Sequence, residues 1–454
     1  MKKDRYMKKT DIYRFLLAGM VCCFIATSFS SCRFEEDDYF DESASLRVEH
    51  AIDQIQTTLS TPENGWVMQY FCGTGVAQFE GFNLFADFNK NGKVTMAGNH
   101  RYLRNGNANK YTEATSLYSL LLEDGPVLAF NTWNDVLTPF VDPVSYASAP
   151  SNLVKDGEGM EGDHNFVVMS YNDDEVILRG ERHRAEVRLT KCDRPWADYI
   201  ADTEKLKNYV TNTAISSYYV MTDTDTLYFT GLRNGRFRYC ENLTNPVKLD
   251  SLACVFTPKG FRTEHTDSIG NSAFHEFTLA ADSTCLVNED GTVKVMATWD
   301  KYVVSHTALW KMDASLFSAE QVALFSQIDT ELKKNNANWT LESIGIGKST
   351  GSGSVIGLIL TFYTNTTKTK TNTAGLAMTM TRPAYSQMTI SCTEDNMVDK
   401  NMETIKKKAT DIEQLCRNFA ALLNGTYKMT PDNCFLPTGG QFEAINGGTT
   451  FKLK

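Results

Sequence analysis

Three short stretches of this chain carry residue spacings that known chemistries use. Gly157-Glu158-Gly159-Met160-Glu161-Gly162 spells the dinucleotide-binding pattern GxGxxG letter for letter. That pattern works where a helix follows it, so that the helix N-terminus meets a pyrophosphate. Here the next residues, Phe166–Tyr171, alternate as a strand, and Glu158 and Glu161 would repel phosphate. The acidic loop suits a hard cation better. Asp156, Glu158 and Asp163, with Glu161 and His164 beside them, are oxygen-rich enough to gather around Ca2+. A Gly-rich solvated turn leading into a strand is the plainer reading and is adopted, with Ca2+ kept as the one cofactor the loop suggests.

The other two stretches fail on context. Asp87-Phe88-Asn89-Lys90-Asn91-Gly92 copies the opening of a calcium loop, but Gly98 stands where the bidentate acid belongs. It lies between alternating segments and is read as a hairpin turn. Gly347-Lys348-Ser349-Thr350-Gly351 imitates a nucleophile elbow, yet more Gly and Ser and then a strand pattern follow it, where a helix is required. As a phosphate loop it lacks the leading glycine, because Glu342 holds that position. The seven histidines include no HExxH and no pair at metal-binding helical spacing. No carboxylate pair for glycoside hydrolysis stands out either.

Aromatic residues offer a different chemistry. Six tryptophans and 19 tyrosines could stack on sugars, though most lie in apolar-patterned stretches that read as core. Trp133 is the exception, in Phe130-Asn131-Thr132-Trp133-Asn134-Asp135. Amides and a carboxylate around an aromatic are the mixture a carbohydrate site uses. Asn131, Trp133, Asn134 and Asp135 are therefore the candidate ligand-binding residues.

The first forty residues give an address. Lys2, Lys3, Arg5, Lys8, Lys9 and Arg14 precede the apolar run Phe15–Thr27, and small residues lead into Cys32. This is a lipoprotein signal, with 1–31 removed and Cys32 lipidated. Thirteen apolar residues are too few to cross about 30 Å of hydrocarbon. The lipid on Cys32 is then the membrane anchor, and residues 32–42 form an acidic tether through Glu35–Asp38. Beyond the leader stand 39 Lys/Arg against 53 Asp/Glu, a formal charge of −14, which argues against nucleic acid as a partner. Eight cysteines remain after the anchor: Cys72, Cys192, Cys240, Cys254, Cys285, Cys392, Cys416 and Cys434. Disulfides and buried free thiols both stay open.

Periodicity supplies the elements that must position these residues. Helices are expected over about 43–60, from Pro195 to about Asn212, from the capping box Ser318/Gln321 to Leu332, and over Ile405–Leu423. Strands fill the intervals, with turns at Asn89–Gly92, Asn172–Asp174, Arg233–Gly235 and Glu289–Gly291. The expected class is α+β: antiparallel sheets with a few amphipathic helices in two or three domains. The divisions are 43–195, an N-terminal α+β domain; 196–312, a strand-rich middle; and 313–454, a C-terminal α+β domain. Helix-then-strands at 43–97 and 316–381 suggests a degenerate internal repeat.

Several passages together resemble a known family. They are Phe34–Asp38, Ser43–Arg47, Gly65–Tyr70, Gly81–Phe85, Val127–Trp133 and Asp156–Gly159. They are similar to Bacteroidota outer-membrane lipoproteins called domain of unknown function 4302. The resemblance implies accessories of outer-membrane nutrient uptake, with no assigned activity and no catalytic residues to carry over. Acidic residues after the lipidated cysteine likewise resemble the export signal of that group. The expectation is a lipid-anchored outer-membrane protein facing the cell exterior. It would bind a glycan or peptide polymer and work beside outer-membrane uptake proteins. The alternatives are a hydrolase with dispersed carboxylates and a structural, partner-binding subunit.

Overall fold

The computed structural model describes residues 44–75, 77–123, 125–142, 159–212, 214–240, 251–305, 309–350 and 352–454. The chain divides into two units, Met1–Gln54 and Ile55–Lys454. Residues 44–54 of the first are helical and begin α1 (Ala44–Leu59). The sheets and the remaining helices all lie in the second unit.

Its first eight strands close on themselves. Strands β1 (Trp66–Phe71), β2 (Phe82–Phe88), β3 (Lys93–Gly98), β4 (Thr112–Leu122), β5 (Pro126–Phe130), β6 (Asn165–Tyr171), β7 (Glu175–Gly180) and β8 (Glu186–Lys191) pair in chain order. β8 then returns to β1, with Trp66 opposite Lys191 and Phe71 opposite Glu186. Local turn chemistry sets the order. Between β2 and β3, Asn89 N donates to Lys93 O at 2.8 Å and Gly92 takes φ +81°, a left-handed turn that glycine adopts without strain. The calcium-like Asp87–Gly92 segment is this hairpin.

An eight-stranded barrel has an interior just wide enough for its own side chains. Here Trp66, Tyr70, Phe88 and Phe166 are fully buried inward, and Phe140 enters from the short helix α2 (Thr138–Val141). Phe140 lies 4.7 Å from Phe82 and 5.3 Å from Tyr70, ring centre to ring centre. Aromatic and aliphatic side chains thus occupy the lumen.

Helix α3 (Trp196–Val210) covers part of that outer face. Phe85 points outward from β2 and packs on Trp196 at 5.7 Å and Tyr199 at 5.5 Å. Further along α3, Leu206 and Val210 enter the core of a second closed barrel. Its strands are β9 (Ser217–Met221), β10 (Thr226–Thr230), β11 (Arg236–Cys240), β12 (Ser251–Phe256), β13 (Gly260–Ile269), β14 (Ser272–Leu279), β15 (Leu286–Asn288) and β16 (Lys294–Ala297). β16 closes on β9, with Val295 opposite Val220. One helix thus touches both barrels.

The C-terminal part holds a four-stranded sheet, β17 (Trp310–Lys311), β18 (Thr340–Lys348), β19 (Ile356–Tyr363) and β20 (Thr371–Ala377). A five-stranded sheet follows: β21 (Thr379–Thr381), β22 (Gln387–Ser391), β23 (Gly425–Pro431), β24 (Gly440–Gly447) and β25 (Phe451–Leu453). Helices α4 (Trp299–Ser305), α5 (Ala319–Asn335), α6 (Lys400–Ile405) and α7 (Ile412–Ala421) complete it. The expected box at α5 is present: Ser318 Oγ accepts from Gln321 N at 3.2 Å, and Gln321 Oε1 accepts from Ser318 N at 2.9 Å.

Three expectations need correction. The class is mainly β: 25 strands accompany seven α-helices among the described residues, and 16 of those strands form two closed antiparallel barrels. Short-range alternation is the same for an open sheet and a barrel, and closure depends on pairing distant residues, such as Trp66 with Lys191 and Val220 with Val295. The suggested repeat does not hold, since 43–97 supplies barrel strands and 316–381 an open sheet. The helix over Ile405–Leu423 is broken into α6 and α7. Thr410-Asp411 favour a helix start over a helix middle, yet Ala409, Ile412, Cys416 and Phe419 still share one buried face. Of the Gly347–Gly351 stretch, Gly347 and Lys348 end β18 and Ser349 N donates to Val355 O at 3.0 Å, while Gly351 lies outside the described residues. Among the described residues, Cys72, Cys192, Cys254, Cys285, Cys392, Cys416 and Cys434 are free thiols.

One buried group makes the first barrel acid-sensitive. His100 is 7% exposed, against Phe140 at 4.6 Å, and its Nε2–H donates to Val136 O at 2.9 Å. Burial holds its pKa down to about 4, whereas an unfolded histidine titrates near 6.5. The unfolded chain therefore binds the extra proton first as pH falls. The stability contribution is full above about pH 6.5 and is lost progressively toward pH 4. At pH 4.5 the loss should reach about 2 to 3 kcal/mol from this residue. Comparing the pH dependence of urea unfolding for wild type and His100→Gln checks it: equal slopes for the two would refute the assignment.

Candidate functional site

The loop after β5 builds the most distinctive surface feature of the first barrel. Asn134, 1% exposed, pins it. Its Oδ1 accepts from Val136 N at 3.0 Å and Leu137 N at 3.4 Å, and its Nδ2 donates to Ala114 O at 3.2 Å and Ser116 Oγ at 3.0 Å. Its backbone N donates to Thr138 Oγ1 at 2.8 Å and starts α2. Asn134 is thus spent on shaping the loop, and ligand contact falls to its neighbours.

Trp133 is held outward by this arrangement and is 52% exposed. The other five tryptophans are buried or half-buried. Its indole Nε1–H donates to Asp135 Oδ1 at 2.7 Å, and the Arg104 guanidinium lies 5.2 Å from its ring centre. Arg104 is itself fixed by Asp142 Oδ2 at 2.7 Å. A cation over an indole face and a bond at its edge hold the ring in one orientation. Beside it is a cavity of about 230 Å3, lined by Phe130, Leu137 and Val141 on the apolar side and by Thr132, Thr138 and His164 on the polar side. Asn131 lies nearby but turns to β4, where its Nδ2 donates to Ser119 Oγ at 3.0 Å.

The arrangement offers stacking area, a few hydroxyls and an imidazole, which suits reversible binding of a ring-shaped, partly apolar ligand. Of the residues singled out from sequence, Trp133 and Asn134 line the cavity, while Asp135 orients Trp133 and Asn131 braces the loop. Arg104 and Asp142 escaped that reading, which places His164 in the acidic loop instead of this cavity. They come from other segments, and no local pattern connects them to Trp133.

The acidic loop is only partly in view. Cys32, the tether 32–42, Asp156 and Glu158 lie outside the described residues. Asp163 is 3% exposed and its carboxylate is already engaged. Oδ1 accepts from Arg182 N at 3.0 Å and His183 N at 2.9 Å, and Oδ2 from His183 N and Ala185 N, each at 3.2 Å. It thereby organises the turn between β7 and β8. Among the described residues, no group of three His, Cys, Asp or Glu side chains is placed to hold a metal ion.

A family model described as Domain of unknown function (DUF4302) matches residues 36–281, more than half of the 454 residues. The chain belongs to the DUF4302 family. The match takes in the whole first barrel of this DUF4302 protein, its Trp133 loop, α3 and the second barrel through β14. No curated protein matches the chain. Among solved structures, the DNA polymerase III subunit beta from Pseudomonas aeruginosa aligns with 90% of this chain and 96% of its own at 7% identity. Its TM-score of 0.11 is too low to support a shared fold.

Proposed function

We propose that this DUF4302 protein is a lipid-anchored binding protein of the outer membrane, facing the cell exterior. It serves as an accessory in uptake of an extracellular polymer, glycan before peptide. The observation that carries the binding role is Trp133, a half-exposed indole held rigid over a cavity of about 230 Å3. Rigid aromatic surface binds at low entropic cost, because little freedom remains to be lost. What supports the address is the leader, Cys32 and the acidic tether in the sequence. Among the described residues no helix is long and apolar enough to cross a membrane.

The test is retention of the chain without its lipid anchor, residues 33–454, on glycan and peptide arrays, with and without calcium, alongside assays for product release. Trp133→Ala should weaken retention about tenfold or more, the cost of a lost stacking anchor, with the unfolding midpoint nearly unchanged. Retention that survives the substitution would sink the Trp133 site. Release of product would replace the binder with a hydrolase, and calcium dependence would draw in the 156–163 loop.

A further inference from the structure

The two barrels meet along a seam that is already well fixed. Gly81 N in the first donates to Cys254 O in the second at 3.1 Å, and Asn83 Nδ2 donates to Phe256 O at 2.7 Å. Arg236 Nε reaches back to Ala77 O at 2.7 Å. Phe71, Ala77, Ala253 and Val255 form a small apolar cluster under the same seam. Above it opens a recess of about 380 Å3 between β2, the 99–109 loop, α3, the Leu232–Asn234 turn and β12. Its walls are main chain and helix, so it exists before any ligand arrives. That volume lies at the lower end of small-molecule sites.

The lining has an unusual balance for this protein. The chain carries a formal charge of −10, yet Arg101, Lys207 and Arg233 all face this recess. Glu80 pairs with Arg101, at 3.0 Å, and also lies within electrostatic reach of Lys207. Lys207 and Arg233 have no carboxylate within ion-pair distance among the described residues: Lys207 lies over the Phe256 ring at 5.5 Å, and Arg233 Nη1 donates to Thr211 O at 2.8 Å. Glu204, exposed on α3, is the remaining acid of the lining. Around the two cations stand Asn99, Asn109, Asn208 and Asn234, whose side-chain amides make no hydrogen bond among the described residues.

Each amide offers a donor and an acceptor, as a sugar hydroxyl does. Two cations without a carboxylate in ion-pair contact, side by side in a concave site, favour an anion. Neutral sugars would leave those charges unused, and a simple inorganic anion would leave the amides unused. We infer that this inter-barrel recess binds an acidic saccharide, a short glycan segment bearing carboxylate or sulfate, with Lys207 and Arg233 meeting the charge and the four asparagines meeting the hydroxyls. The inference is independent of the Trp133 cavity, which is lined by other segments of the first barrel.

Calorimetric titration of the mature chain tests it with three probes: a galacturonate trimer, a sulfated glycosaminoglycan disaccharide, and a neutral glucose trimer. One acidic probe or both should bind, the neutral one at least about tenfold more weakly, and binding should weaken as salt is raised. Whichever acidic probe prevails assigns the charge to carboxylate or sulfate. Lys207→Gln combined with Arg233→Gln should reduce that affinity about 100-fold, because two charge-assisted contacts go. Lys205→Gln, an exposed lysine on the same helix outside the recess, should leave it unchanged. Thermal melting of the double variant confirms that it remains folded. Absence of binding by both acidic probes at millimolar concentration, equal affinity for the neutral probe, or full affinity in the double variant would each overturn the assignment.

Discussion

Asp300→Ala is expected to destabilise the protein by about 3 to 5 kcal/mol, the cost of stranding a largely buried partner charge. Asp300 sits in the first turn of α4 and is fully buried. Its Oδ1 accepts from Tyr219 Oη at 2.8 Å and from Lys301 N at 2.9 Å. Its Oδ2 accepts from Arg382 Nη1 at 2.6 Å and Ser386 N at 3.3 Å. Tyr219 belongs to β9 of the second barrel, whereas Arg382 and Ser386 follow β21 of the five-stranded sheet. One carboxylate therefore ties barrel to sheet. Removing it leaves the Arg382 guanidinium, 19% exposed, and the Tyr219 hydroxyl without their partner. Asp300→Ala with Arg382→Met should recover much of the loss, since no unpaired charge then remains buried. Urea unfolding of the two variants measures this, and a single substitution costing under about 1 kcal/mol would show that the tie is weak.

Asp163→Ala is the second large effect, expected at about 3 kcal/mol or more. Its two oxygens accept from the backbone N–H groups of Arg182, His183 and Ala185, with Ala185 3% exposed. Truncation removes the acceptor of all three donors and strands the buried Ala185 N–H where water has poor access. Asp163→Asn should cost nearly as much, because an amide offers one accepting oxygen where two are used. Gly180 supplies an independent check: a Cβ there would lie 1.9 Å from Asp163 Oδ2, so Gly180→Ala must displace the same carboxylate. All three variants should shift the urea midpoint downward by about 1 M, while calcium should not restore it. Rescue by calcium would instead give Asp163 to a metal site shared with the acidic loop.

Asp163 also shows where reading along the chain loses its grip. Its acidic, Gly-rich surroundings resemble a cation loop, and only the fold reveals three backbone amides from residues 182–185 converging on it. Asn134 is similar. Its composition suggests ligand contact, yet the side chain is buried and braces the loop. Trp133 was conspicuous because amides and a carboxylate flank it in sequence, and that signal is local. Arg104 and Asp142, which clamp it, lie 29 positions before and nine after it in the sequence and carry no such mark. The inter-barrel recess left no trace at all. Its residues come from five segments between Glu80 and Phe256, each unremarkable alone.

By itself the sequence determined what depends on neighbours along the chain: helices α1, α3 and α5 through their apolar period and caps, and the hairpins through their Asn-Gly and Asn-Asp turns. Those features arise from interactions over a few residues, so local composition suffices to specify them. Whether strands with that alternation lie open or curl shut was decided only by tertiary structure. Closure requires β1 to meet β8 and β9 to meet β16, and it is the packed aromatic interiors and sheet twist, both collective, that favour those distant pairings. The cavities inherit that dependence. Each is a place where segments remote in the chain become neighbours, and such proximity exists only once the barrels have closed.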